Sequence, residues 1–164
     1  GMDRELQLQR YRDQIKPDII WNTELGLEQS ISTLAKAERA RAALYAQFND
    51  LFSRYDLIVT PGANTPAFDV ELRFPEAING IKLEHYMAAS TLTAAVTISA
   101  SPALSLPCGF DQYGRPIGLQ LIGRPRGEAA LLAAGALFEV ESGLAEQVPI
   151  DPRHGKVPPI GKLT

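Results

Sequence analysis

Cysteine occurs once in these 164 residues and histidine only twice. One thiol excludes an internal disulfide, and Cys108, His85 and His154 together fall short of a four-ligand zinc centre. No metal and no cofactor is expected. Basic residues are also scarce: 16 Lys and Arg stand against 19 Asp and Glu, for a net charge of −3. That balance supplies no electrostatic footprint for nucleic acid, whose binding rests on many cation–phosphate contacts. Long apolar runs are missing too. The strongest, around residues 87–106, is broken by Ser, Thr and Pro and is too polar to span a bilayer. No basic-then-apolar leader precedes it, and Gly1 reads as the remnant of a cleaved purification tag ahead of Met2. A cytoplasmic protein is expected.

What the sequence does hold is enough apolar material for one folded domain. Hydrophobic residues make up 45% of the chain, in the range of globular proteins. Residues 3–16 lack Gly and Pro and suit a helix, which Pro17 ends. From 27 to 52, apolar residues Leu27, Ile31, Leu34, Ala37, Leu44, Phe48 and Leu51 recur every three or four positions. This predicts one long helix with a single buried stripe, long enough to overhang a small core. "YDLIVT" at 55–60 reads as a short strand buried on both faces. Residues 63–82 carry Pro66, Pro75 and the Asn79-Gly80 turn signal, so a long irregular loop is expected there. Loops of that length often line a binding site or a partner surface. A helix over 83–97 follows, although its Ser and Thr residues suit an extended segment equally, then strands at 103–109 and 116–123 joined by the "DQYG" turn. An Ala- and Leu-rich helix over 128–141 stops near Gly143.

The order strand, helix, hairpin favours a parallel crossover with an antiparallel neighbour. The fold class expected is α/β: a small mixed β-sheet of about three strands flanked by helices. Residues 1–164 are read as a single domain, with 148–164 an extended, proline-rich tail. Open sheet edges would favour self-association, most simply a two-fold dimer.

The stretch "PALSLPCGFDQYGRPIGLQLIGRPRGEAALLAAGALFE", residues 102–139, resembles the C-terminal part of the amidase-signature hydrolases. "LFSRYDLIVTP" at 51–61, after a long helix, is similar to the segment just before it in such proteins. The resemblance covers roughly residues 18–141 and implies the C-terminal part of that fold and an amide-directed chemistry. It also implies a serine nucleophile, a second serine in a cis peptide and a lysine, all in the family's N-terminal half. These residues contain no Gly-Gly-Ser-Ser run. The expectation is therefore an amidase portion without its reaction centre, inactive alone. The alternatives are a binding module for a small amide, or a subunit completed by a separate N-terminal amidase half. Thr97 and Ala100 stand where the family tends to place Asn and Gly, and "TPGANTPAF" replaces its usual Pro-Thr turn.

No catalytic residue is assigned. Cys108 as a nucleophile would need a partner to lower its pKa, and the pattern offers none, so it reads as a small residue packed at a strand end. His85 and His154 lack a carboxylate at an orienting spacing. Arg124 and Arg126 read as a solvated turn. Thr60, at the C-terminal end of an expected parallel strand, is a substrate-binding candidate because ligands in such sheets gather beyond those ends. Thr97 and Ser101 are candidates on the resemblance.

Overall fold

The computed structural model describes residues 4–144. The proline-rich stretch at 148–164, His154, Gly1 and Met2 lie outside the described residues.

Two units are distinguished, Gly1–Ala42 and Ala43–Thr164. In the first, α1 (Arg4–Tyr11) is followed by a single 3₁₀ turn at Arg12–Gln14. Pro17 does more than end that segment. It occupies the first position of α2 (Pro17–Leu27), where a missing N–H costs nothing and the fixed φ suits a helix. Arg12 pairs with Glu24 at 2.7 Å, and Thr23 buries its hydroxyl against the Ile19 carbonyl at 2.8 Å. The expected single helix over 27–52 is broken at 28–30. Ser30 accepts the Thr33 N–H at 3.0 Å, a side-chain cap that starts α3 (Ile31–Arg54) afresh. The predicted stripe is not uniformly buried: Leu27, Ile31 and Leu34 are exposed.

In the second unit, β1 (Ile58–Pro61) leads into the loop, where β2 (Ala77–Ile78) and β3 (Ile81–Lys82) form a minimal hairpin. Its turn is Asn79-Gly80, both at positive φ, as the sequence signal requires. The helix expected over 83–97 forms as a 3₁₀ turn, Tyr86–Ser90, followed by α4 (Thr91–Ile98). Strands β4 (Ala103–Phe110) and β5 (Pro116–Ile122) and helix α5 (Glu128–Ser142) complete the described chain. Gly143, at φ 60°, supplies the left-handed stop to α5.

The α/β class holds, with a three-stranded sheet in the order β1-β5-β4. The strand pairing differs from expectation. Both ladders are antiparallel, so β1 and β4 run parallel but never touch, because β5 lies between them. β1 is consequently an edge strand and not one buried on both faces; Val59 is exposed. Alternation divides the sheet cleanly. Ile58 and Ile122 face Phe48 and Phe52 of α3 and Val96 of α4. Leu104, Leu106, Leu119 and Leu121 face Leu131 and Phe138 of α5. Gly135 lets α5 approach β4 closely, since a Cβ there would collide with Leu104.

Candidate functional site

The hairpin turn anchors the site. Asp111 accepts the N–H groups of Tyr113 and Arg115 through Oδ1, each at 2.9 Å, and the Arg115 Nε through Oδ2 at 2.6 Å. Gly114 takes the positive φ that closes the turn. Partial desolvation works against the Asp111 charge. The hydrogen bonds from the Arg115 backbone and side chain and the Tyr113 backbone, with the Arg115 charge, outweigh it and hold the carboxyl below the usual range. Arg115 also donates to the Ala67 carbonyl at 2.8 Å, which ties the loop to the hairpin. Asn64 ties the same loop to α4 through Thr91 Oγ1 at 3.1 Å. Where the loop leaves β1, the Gly62 N–H donates to the Gly118 carbonyl at 2.8 Å. A Cβ on Gly62 would sit 3.1 Å from the Gly118 backbone, so the approach favours glycine.

These ties hold open a cleft of about 780 Å³ between the loop, the 3₁₀ turn and the hairpin. Phe68, Phe74 and Tyr86 bring aromatic rings to its wall, and Ser90, Ser105, Asn64 and Thr65 bring polar groups. Among the described residues, Arg73 is the charged one in the lining. No histidine, cysteine, lysine or carboxylate among the described residues lines the cleft. The loop expected from its length to line a binding site or partner surface forms one wall of this cleft. The aromatic and arginine residues that equip it are not among the candidates named from sequence, although their clustering in "FDVELRF" (68–74) is a usable signal.

Thr60, Thr97 and Ser101 are not gathered into this cleft. Thr60 is half-buried, with its hydroxyl 3.2 Å from Gln120 Oε1. The register sets Thr60, Gln120 and Ser105 in one row across the sheet, so Thr60 reaches the cleft wall only through that row. Thr97 is exposed on α4 and donates to the Thr93 carbonyl at 3.1 Å. Ser101 lies 3.1 Å, hydroxyl to hydroxyl, from Ser99, which is fully buried and donates to the Val96 carbonyl at 2.7 Å. His85 precedes the 3₁₀ turn and is half-buried. The expectation for Cys108 is corrected: the residue is exposed, not packed. β4 pairs Pro107 with Gly118 and Gly109 with Ile117, leaving Cys108 as the extra residue of a β-bulge. Arg124 is exposed and 3.7 Å from Asp56. Among the described residues no group of three or more His, Cys, Asp or Glu is placed to hold a metal ion, and no helix is long and apolar enough to cross a membrane.

The described residues form an α/β portion with a loop-walled cleft. The chain belongs to the amidase family, whose model, described as Amidase, matches residues 5–132. It is similar to a glutamyl-tRNA(Gln) amidotransferase subunit of Moorella thermoacetica, with 44% identity over 104 residues, or 63% of this chain and 20% of that protein. The corresponding protein of Lysinibacillus sphaericus shares 31% identity over 147 residues, 89% of this chain and 29% of that protein. Among solved structures, a bacterial aryl acylamidase of the amidase-signature family superposes with a TM-score of 0.72 at 24% identity. That match covers 82% of this chain and 28% of the other, and it establishes the fold. The chain thus spans about a fifth to three tenths of the length of the proteins it matches.

Proposed function

We propose that these residues form the amide-binding wall of an amidase whose reacting groups lie outside them, and that the 164 residues alone do not hydrolyse amides. The observation that carries this reading is the cleft lining. Among the described residues it offers apolar walls and hydrogen-bonding side chains, but no histidine, cysteine, lysine or carboxylate to activate a nucleophile. Amide hydrolysis needs such a nucleophile together with donors for the developing oxyanion. The serines that line the cleft, Ser90 and Ser105, have no such base beside them among the lining residues.

A separate N-terminal amidase half is the partner that fits, because the relatives carry several times the length matched here. Their name, which makes each of them an amidotransferase subunit, is that of one component of an assembly. Without such a partner, the outer edges of β1 and β4 favour a two-fold homodimer. The test is release of p-nitroaniline from p-nitroacetanilide. The chain alone should match the uncatalysed rate. Adding the N-terminal part of one of these amidotransferase subunits, cut ahead of the segment that matches here, should raise it. Turnover by the chain alone, abolished by Ser105→Ala or Cys108→Ala, would overturn the reading. Thermal stabilisation by benzamide without turnover, with or without the added half, would favour a pure binding module. A clean monomer by light scattering would remove the dimer.

A further inference from the structure

The stretch of loop that walls the cleft is not held there by burial. Residues 66–70 are all exposed, and Phe68, which lines the cleft, keeps 47% of its surface open. A backbone hydrogen bond from Gly62 to Gly118 fixes the start of the loop, and Asn64 ties it to Thr91 on α4. Beyond those two, Ala67 is gripped by a side chain from the hairpin: Arg115 Nη1 donates to its carbonyl at 2.8 Å. We propose that Arg115 is a positioning residue for the ligand of this cleft, holding Ala67 so that its neighbours Pro66 and Phe68 stand against the bound molecule. This rests on the amide-binding reading above and adds to it the residue that sets the loop wall.

A long side chain acts as a strap only if its own end is fixed. Arg115 Nε donates to Asp111 Oδ2 at 2.6 Å. The Asp111 carboxylate is fixed in turn by the N–H groups of Tyr113 and Arg115 on Oδ1, each at 2.9 Å. With side-chain exposures of 24% and 15%, the Arg115–Asp111 pair is more sheltered than Arg12–Glu24 and is screened less by solvent. The Tyr113 ring, its centroid 5.1 Å from the guanidinium carbon, adds a cation–π contact. Nε and Nη1 belong to one rigid plane, so anchoring the first directs the second. The opposite wall needs no strap, because Ser105, Ile117 and Gly118 sit in paired strands.

Two readouts test this in the 164-residue chain: hydrogen exchange of residues 62–76 and calorimetric titration with benzamide. Arg115→Gln should exchange about tenfold faster over 62–76, with α5 unchanged, and bind benzamide about tenfold more weakly, as loss of a hydrogen bond from a charged donor predicts. Asp111→Asn keeps an acceptor for the turn N–H groups but loses the charged oxygen that holds Nε. Alone it should weaken benzamide binding, and in the Arg115→Gln background it should weaken it no further. A second loss in that background would show that the turn and not the strap matters, and would overturn the proposal. Should circular dichroism show Arg115→Gln unfolded, Arg115→Lys carries the same comparison, because it keeps the charge beside Asp111 without the fork. Unchanged exchange over 62–76 overturns the strap itself, whatever the ligand result. Faster exchange with unchanged benzamide affinity overturns the positioning role. Faster exchange in the variant, with no benzamide binding even by the wild type, overturns the amide-binding reading and the ligand role drawn from it, while the strap stands.

Discussion

Ile31 and Ile122 are the same residue on regular elements with apolar neighbours, yet Ile31 is 86% exposed and Ile122 is 1% exposed. They represent two regions of the chain. In the first unit, apolar side chains recur at helical spacing, and Leu6, Ile19, Leu25, Leu27, Ile31 and Leu34 all remain open to solvent. In the second, helices pack on both faces of a short sheet, and Ile122 closes one core cluster while Leu121 closes the other. The difference teaches that periodicity marks which side of a helix seeks cover without saying that cover is present. A sheet supplies two flat faces at once, and its alternating residues are buried as soon as each face receives a helix.

The largest test of this contrast is to truncate both isoleucines. Ile122→Ala should cost about 2–5 kcal/mol, the range for deleting a buried branched side chain and leaving a cavity. Ile31→Ala should change stability by less than about 0.5 kcal/mol, as exposed substitutions do. Urea-denaturation midpoints measure both. Comparable losses would break the contrast and show that a second copy or another protein covers α3 in solution, which the concentration dependence of the midpoint would reveal.

A smaller effect tests how the second unit holds its cleft. The Asp111 carboxyl is held below its usual pKa, against partial desolvation, by the hydrogen bonds from Arg115 and Tyr113. Its native value is therefore lower than its unfolded value, so the stabilisation is complete above the unfolded carboxylate pKa of about 3.9. It fades as pH falls through the lower native value, because protonation then removes the acceptor that the turn depends on. Asp111→Asn should therefore melt below the wild type at pH 7, with the gap closing on acidification below pH ~4. A gap that is constant from about pH 7 down to about pH 3 would show that the turn does not rely on the charge. The first unit carries its Arg12–Glu24 pair in the open, at side-chain exposures of 54% and 45%, and Glu24→Gln should shift the midpoint less at any pH.

Legibility follows the same divide. The hairpin can be read from the sequence almost to the residue, because "DQYG" fixes a turn by local chemistry, with Asp111 as acceptor and Gly114 at positive φ. The Asn79-Gly80 turn is legible for the same reason. The break at 28–30 is not, since Ser30 caps α3 within an otherwise unbroken apolar pattern. Sheet order depends on contacts far apart in sequence. Nothing local says that Thr60 pairs with Gln120 and leaves Ser105 on the far side of it. The cleft shows both cases. Its loop follows from length and turn residues, while the bond from Arg115 to the Ala67 carbonyl spans 48 positions and decides where the loop lies. Arg73 escapes a sequence reading because an arginine among acidic neighbours looks like ordinary surface, and only the fold sets it on the cleft wall.

Backbone strain offers a finer comparison within the second unit. Ala100 takes φ 56° between α4 and β4, next to the fully buried Ser99. An alanine in that region carries about 1–2 kcal/mol of steric cost, which glycine lacks. Glycine in turn adds freedom to the unfolded chain, so Ala100→Gly should raise stability by about 0.5 kcal/mol. Asn79 takes φ 51° in an exposed turn, and asparagine tolerates that conformation. Asn79→Gly should therefore do less. A larger gain at Asn79 would mean that the turn, and not the junction before β4, holds the strain.

The smallest effect expected is at Cys108, and it tests the sheet at the point where core gives way to surface. Leu106, two residues earlier, is 5% exposed, and unbroken alternation would turn Cys108 toward that same covered face. The bulge cancels that continuity. With Gly109 at φ 133° opposite Ile117, Cys108 has no cross-strand partner, and its thiol meets solvent. Cys108→Ser should thus leave the denaturation midpoint within about 0.5 kcal/mol of wild type. The native thiol should react with one equivalent of a chromogenic disulfide without denaturant. Reaction that waits for urea would place the thiol inside, which requires β4 and β5 to pair there without the extra residue. Cys108 would then stand opposite Ile117, Gly109 would move to Pro116, and Phe110 would lose the partner it has now.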